Sequence, residues 1–240
     1  MALGAFPIVG TAVVATALAA DLDMSLTLFG AGVALNTLFG GVFAPLSGRL
    51  SDRYGGKWSC VFVLVSSGLG LLVVAVGRSP FELMLGLLIS SYGQGACNPA
   101  TNKLVAERAA PGRRGTMTGI KQSGVQLGIL LGGFTLPALS IWVNWRFAIG
   151  LYAGTALLTA ILAAALLPDS HERTITGSRE VRSLEKLRLP RSVSLLALYA
   201  LCMGCVVGGV GRYTVLFAEN ALAMSNVKAG LVAGLPGGLA

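Results

Sequence analysis

The sequence predicts an all-α polytopic membrane protein. Of its 240 residues, 54% are hydrophobic and only 12% are charged, and the mean hydropathy is +0.76. The charged share is about half of that in an ordinary soluble domain, and apolar segments of about 20 residues recur along the whole chain. A transmembrane β-barrel would instead show short strands of alternating polarity. These observations favour helices that cross a bilayer and exclude a soluble globular enzyme.

Six apolar runs are each long enough to cross the hydrocarbon core of a membrane. They lie at 3–20, 27–47, 58–77, 81–102, 116–139 and 147–167. The connections between them are short, which is typical of neighbouring helices in one bundle. Residues 1–167 are therefore predicted to form an N-terminal six-helix transmembrane bundle.

A long charged segment, residues 168–192, follows the sixth run and contains the single histidine, His171. Such a polar linker predicts a central loop between two domains. Residues 193–240 are then expected to begin a second, incomplete bundle. That part contains one full-length run, 193–218, and a shorter run, 227–240, with too few residues to cross a bilayer. The pattern predicts a truncated chain whose C-terminal half is missing.

Basic residues are distributed unevenly between the two sides of the predicted bundle. The connections after the second, fourth and sixth runs hold 13 of the 18 Lys and Arg residues, whereas the alternate connections hold three. Cytoplasmic loops of helical membrane proteins carry this excess. We therefore predict a multi-pass protein of the cell membrane with a cytoplasmic N-terminus. The net charge of +8 then reflects orientation, and nucleic acid is not an expected partner.

Residues 48–57, with the sequence GRLSDRYGGK, occupy the predicted cytoplasmic turn between the second and third runs. A carboxylate at Asp52 is costly near the membrane unless it meets a cation or a helix N-terminus, and Gly55 followed by Gly56 permits a tight turn. The segment resembles the G-x-L-x-D-R-x-G-[RK]-[RK] signature of the major facilitator superfamily. These secondary transporters usually have twelve helices in two six-helix halves.

The resemblance implies that this turn belongs to a cytoplasmic gate, in which Asp52 packs against the opposite half. The implied gating residues are Gly48, Asp52, Arg53, Gly55 and Lys57. An alternative is that Arg49, Arg53 and Lys57 only determine topology, and both interpretations stay open for these three cations.

Two further segments agree with the same resemblance. Residues 111–115 are similar to the turn that leads into the fifth helix, and residues 145–147, Trp-Arg-Phe, are similar to the start of the sixth. Ser91 and Gly133 stand where proton-coupled drug antiporters of the superfamily usually carry Arg and Pro. The resemblance therefore disfavours multidrug antiport.

Polar side chains within the apolar runs are the candidate substrate-binding residues, because they are costly when they face lipid. They are Gln94, Asn98, Asn102, Lys121, Gln122, Gln126 and Arg212. The amides of the fourth run fall on one helix face, either as a cavity wall or as hydrogen-bonding groups between helices. On the fifth run, Lys121 shares a face with a row of glycines and not with the two glutamines. Lys121 and Arg212 could each also extend to the headgroup region instead of binding a solute.

The predicted function is secondary active transport of a small anionic or polar solute by alternating access. Two cations, Lys121 and Arg212, and no carboxylate in the middle of any run favour an anionic or polar solute. No G-x-x-x-x-G-K-[ST] motif occurs, so gradients would supply the energy. The expected partners are a small-molecule substrate, a coupling ion and membrane lipid, with no cofactor, metal site or catalytic residue. The alternatives are an intramembrane lipid-modifying enzyme and an inactive transporter fragment. The enzyme would need clustered nucleophile and base groups within the membrane, and the apolar runs of this sequence show no such cluster.

Overall fold

The computed structural model describes residues 1–110 and 112–168, together with isolated residues between 195 and 224. In order, the helices are α1 (Ala2–Val13), α2 (Ala15–Asp21), α3 (Leu26–Val76), α4 (Pro80–Arg108), α5 (Arg114–Trp142) and α6 (Trp145–Leu166). No strand occurs in the described part, and the all-α prediction is confirmed. Residues 169–194, the run at 227–240 and Arg212 lie outside the described residues.

The helices differ from the predicted runs in two places. The first run is divided at Val14, where φ is −107° and ψ is 16°, into α1 and α2. The second and third runs are joined in α3, which has 51 residues and one non-helical residue, Gly55. By length and composition, α3, α5 and α6 are the described helices that could cross a membrane. The polar residues of α4 lower its hydropathy.

Gly55 ends the first half of α3 and starts the second. Its φ of 77° and ψ of 172° belong to a region that is open to glycine and strained for residues with a Cβ. The next residue, Gly56, is buried against α4, and a Cβ there would lie 2.6 Å from the Leu104 Cα atom. The sequence prediction of a tight turn at this glycine pair is therefore confirmed in its geometry.

Glycines bring both halves of α3 close to α4. A Cβ at Gly86 would lie 2.7 Å from the Gly70 carbonyl oxygen, and one at Gly70 would lie 2.6 Å from the Gly86 carbonyl oxygen. Further along, a Cβ at Gly95 would overlap the Gly40 carbonyl of the first half of α3. Small residues let membrane helices approach closely, so these glycines fix the position of α4.

We expect Gly86→Leu to destabilise the bundle, because the new side chain would meet backbone rather than a movable side chain. Overpacking of this kind costs about 1–3 kcal/mol. The matched control is Gly154→Leu, since a Cβ at Gly154 meets nothing within 4 Å. Thermal unfolding in detergent should show a lower midpoint for Gly86→Leu than for the control, and equal midpoints would contradict the packing argument.

Arg146 joins three elements at the end of the bundle opposite to the turn at residues 48–57. Its Nη2 atom donates to the Asp21 carboxylate at 2.7 Å. Its Nη1 atom donates to the carbonyls of Gly77 and, at 3.3 Å, of Ala75, where α3 ends. The guanidinium carbon also lies 4.5 Å from the centre of the Trp145 ring. Cations are favourable at a helix C-terminus, so Arg146 satisfies that end of α3.

Candidate functional site

Two of the predicted substrate-binding residues meet between α4 and α5. The Lys121 Nζ atom donates to the Asn102 Oδ1 atom at 2.6 Å. Asn102 is exposed and Lys121 is half-buried. Asn102 lies six residues before the end of α4 at Arg108, and Lys121 lies seven residues after the start of α5 at Arg114. At 1.5 Å per residue, the pair is roughly 10 Å inside these helix ends.

The charge of Lys121 is the main electrostatic feature of this site. Its hydrogen-bond partner, Asn102, is a neutral amide, and the salt bridges of Lys103 with Asp52 and of Arg146 with Asp21 involve other side chains. An ammonium group paired only with amides keeps its attraction for anions. The arrangement can therefore bind a carboxylate or phosphate group next to an amide donor.

The polar stripe predicted on α4 divides into two parts in the structure. Asn98 and Asn102 are exposed. Gln94 is half-buried beside Gly40 of α3, and its side-chain oxygen is buried without a hydrogen-bond partner. Thr101 donates to the Cys97 carbonyl of its own helix at 2.7 Å. Asn98 and Asn102 thus face open space, whereas Gln94 lies at a helix contact.

On α5, Gln122 is exposed and Gln126 is half-buried. The glycine row of α5 packs closely at two positions. A Cβ at Gly128 would lie 2.6 Å from Ala2, and one at Gly132 would lie 2.7 Å from the Phe6 ring, both on α1. Gly124, nearer to Lys121, has nothing within 4 Å. The first turns of α5 around Lys121 are therefore open, while its second half packs on α1.

The turn at residues 48–57 is held by two side chains of α4. The Lys103 Nζ atom lies 2.9 Å from the Asp52 Oδ1 atom, with the side chains 35% and 65% exposed, respectively. One helical turn later, the Glu107 carboxylate accepts from the Gly56 N–H, at 3.2 Å for Oε1 and 3.1 Å for Oε2. A carboxylate at a helix N-terminus is favourable, so Glu107 caps the second half of α3.

Sequence reasoning missed both of these partners. Neither Lys103 nor Glu107 is among the candidate residues that the sequence indicated. Their spacing of four residues puts both on one face of α4, and this spacing was the signal that could have identified them. Asp52 meets a cation, as its cost near the membrane required, and that cation comes from α4.

The other implied gating residues have different environments. Gly48 is half-buried, with nothing within 4 Å of an added Cβ. Arg53 is exposed, and its guanidinium carbon lies 5.4 Å from the centre of the Tyr54 ring. Lys57 is only 5% exposed, with its Nζ atom 5.3 Å from the centre of the Trp58 ring.

The apolar helices, the polar groups between them and the clamped turn define a class: a helical integral membrane protein. The profile of the Major Facilitator Superfamily matches residues 1–240. The chain belongs to this superfamily, as the motif at residues 48–57 indicated. Members of this family act as transporters and not as enzymes, in agreement with the sequence prediction. Among the described residues, no three His, Cys, Asp or Glu side chains form a group that could hold a metal.

Similar proteins come from several organisms. The chain is 29% identical over 166 residues to the mouse (Mus musculus) solute carrier family 2, facilitated glucose transporter member 6, with 69% of this chain and 32% of that protein covered. It is 24% identical over 163 residues to the hexuronate transporter of Bacillus subtilis, with 68% and 39% covered. The chain thus spans about a third of the length of these relatives.

The fold is also similar to a solved transporter structure. A bacterial homologue of the human lysosomal transporter Spinster, in an inward-facing and occupied conformation, superimposes with a TM-score of 0.77. The two sequences are 16% identical, and the match covers 99% of this chain and 56% of that one. At this identity the likeness supports the helical fold and not a shared substrate.

Proposed function

We propose that the chain forms the substrate-binding N-terminal part of a secondary active transporter for a small anionic solute. The observation that carries this proposal is the Lys121 ammonium group, which meets the neutral Asn102 amide 2.6 Å away and no carboxylate among the described residues. A half-buried cation without a matching anion is costly in a membrane unless a ligand completes it. A solute carboxylate would do so.

The size and class of the solute follow from the neighbouring groups. Asn98 and Asn102 of α4 and Gln122 of α5 have exposed amides. Amides donate and accept hydrogen bonds, so they suit a solute with hydroxyl groups beside its carboxylate. One relative is named as a hexuronate transporter, and a hexuronate has this chemistry. We also assign Gln126 and Arg212 to the solute pathway, as the sequence predicted.

In this proposal the solute site is exposed alternately to the two sides by movement of two helix bundles, driven by an ion or solute gradient. Residues 1–167 form one bundle, 168–192 the loop on the cytoplasmic side, and 193–240 the start of the second bundle. The N-terminus is cytoplasmic and the location is the cell membrane. Gly48, Asp52, Arg53, Gly55 and Lys57 serve the cytoplasmic gate. This arrangement makes use of the open first turns of α5 and the clamped turn of α3.

The proposal is tested by uptake into proteoliposomes that contain the full-length protein. The informative pair of solutes is a hexuronate and the corresponding hexose, which share a ring and differ in one carboxylate. We expect saturable uptake of the hexuronate, with the hexose transported at least about tenfold less efficiently, since a charge-assisted hydrogen bond contributes about 1.5–3 kcal/mol. Equal uptake of both solutes, or a preference for the hexose, would refute the anionic class.

A further inference from the structure

Two consecutive residues of α4 contact the candidate solute site and the turn at residues 48–57. Asn102 accepts from Lys121 at 2.6 Å, and Lys103 pairs with Asp52 at 2.9 Å. Successive side chains on a helix point about 100° apart, so one short segment contacts α5 on one side and the α3 turn on the other. Any rotation of this segment changes both contacts together.

The same segment has a structural reason to move as a unit. Pro99 lies within α4, where it lacks the N–H that would bond to the Gly95 carbonyl. Gly95 itself is locked against Gly40 of α3. The helix is therefore fixed before the proline and weakened at it. In the turns that follow, up to Arg108, Leu104 packs on Gly56 of α3. The polar contacts of these turns with the neighbouring helices are made by Asn102, Lys103 and Glu107.

We propose that Lys103 is a positioning residue that links solute binding at Lys121 and Asn102 to the cytoplasmic gate at Asp52. This inference rests on the proposed transport function and adds a residue to it. When a solute anion takes the Lys121 ammonium group, Asn102 is released from its hydrogen bond. The segment after Pro99 can then turn, and Lys103 changes its hold on Asp52. Asp52 becomes available to another partner only when Lys103 gives it up.

A competing explanation is that Lys103 is one more basic residue that fixes topology. Topology requires only that the charge lie in the loop, and an exposed residue such as Arg49 meets that requirement. The Lys103 side chain instead is only 35% exposed, and its ammonium group forms a salt bridge with the Asp52 carboxylate. Exposed ion pairs contribute little to stability, so the two explanations differ in transport rate and not in unfolding.

The test compares Lys103→Met with Arg49→Met, and both with the conservative variant Lys103→Arg. We expect Lys103→Met to lower the maximal uptake rate about three- to fivefold, with an unchanged KM for the hexuronate. Lys103→Arg keeps the cation and the Asp52 carboxylate and should retain most of the rate, and Arg49→Met should leave it unchanged. Equal rates for Lys103→Met and Arg49→Met, or a rate in Lys103→Arg as low as in Lys103→Met, would overturn the proposal. A change in KM alone would overturn it as well.

Hydrogen–deuterium exchange of the peptide that covers residues 48–57 gives a second readout, which does not need transport. Without solute, this peptide should exchange faster in Lys103→Met than in Arg49→Met. Hexuronate should change its exchange in the wild type and have no effect in Lys103→Met. If the wild type transports neither solute, the proposed function fails, yet the comparison without solute still decides whether Lys103 positions the turn. Identical exchange in the two variants would show that it does not.

Discussion

Lys121→Ala should raise the KM for hexuronate roughly 10- to 150-fold, the equivalent of about 1.5–3 kcal/mol for a hydrogen bond to a charged group. Alanine removes the ammonium group that faces Asn102 and leaves the amide without its donor. The maximal rate should change less than the KM, because the lost contact is made to the bound solute before any rearrangement. Initial uptake rates over a range of hexuronate concentrations measure both constants.

Two variants sharpen this measurement. Lys121→Arg keeps the charge and should retain most of the affinity, whereas Ser123→Ala, at an exposed residue two positions further along α5, should behave as the wild type. Lys121→Ala should leave the KM for the hexose at its wild-type value, since the hexose has no carboxylate. If Lys121→Ala has the same KM for hexuronate as the wild type, Lys121 does not bind the solute. Its side chain would then extend to the headgroup region instead.

Asp52→Asn should lower the maximal uptake rate about tenfold or more, which corresponds to at least ~1.4 kcal/mol in the activation free energy of the slow conformational step. The amide cannot form the ion pair with Lys103 or an ion pair with a group of the opposite half. The KM should stay within about threefold of the wild type, because Asp52 lies at the turn and not beside Lys121.

The matched control is Asp23→Asn, an exposed carboxylate in the connection between α2 and α3, at the other end of the bundle. It carries the same change in charge and should leave the rate unchanged. Binding of hexuronate at equilibrium should be equal in the two variants. Weaker binding with an unaltered rate in Asp52→Asn would contradict the gating role and place Asp52 in the solute pathway.

Much of the fold could be predicted because the bilayer imposes a minimum length on every apolar helix. That constraint located the outer ends of the runs that became α3, α5 and α6 within about three residues, whereas α4 continues six residues beyond its run. It could not reveal the break at Val14, whose residue type has no turn signature. It also could not show that helical hydrogen bonding nearly continues through residues 48–57, since polar loop composition is compatible with a helix that projects beyond the membrane.

The site was less predictable, because its pairs join residues that are distant in the chain. Periodicity placed Asn102 and Lys121 on their own helices, but the rotation of α4 relative to α5 decides that they meet. Gln94 shows the reverse outcome. Its position on the same face of α4 suggested a cavity wall, but the packing of α3 and α4 places it beside Gly40. Pairs such as Lys103 with Asp52 are 51 residues apart and become visible only when the helices are packed.

The contacts of Arg146 also set an order for biosynthesis. Arg146 follows Ala75 by 71 residues, yet it supplies the donor for the carbonyls at the end of α3 and the counter-ion for Asp21. At ~5–20 residues per second, a ribosome needs about 4–14 s to make the intervening polypeptide. During that interval the nascent chain exposes these acceptors to water or to the insertion machinery. The early helices therefore reach their final hydrogen bonding only after the sixth has emerged.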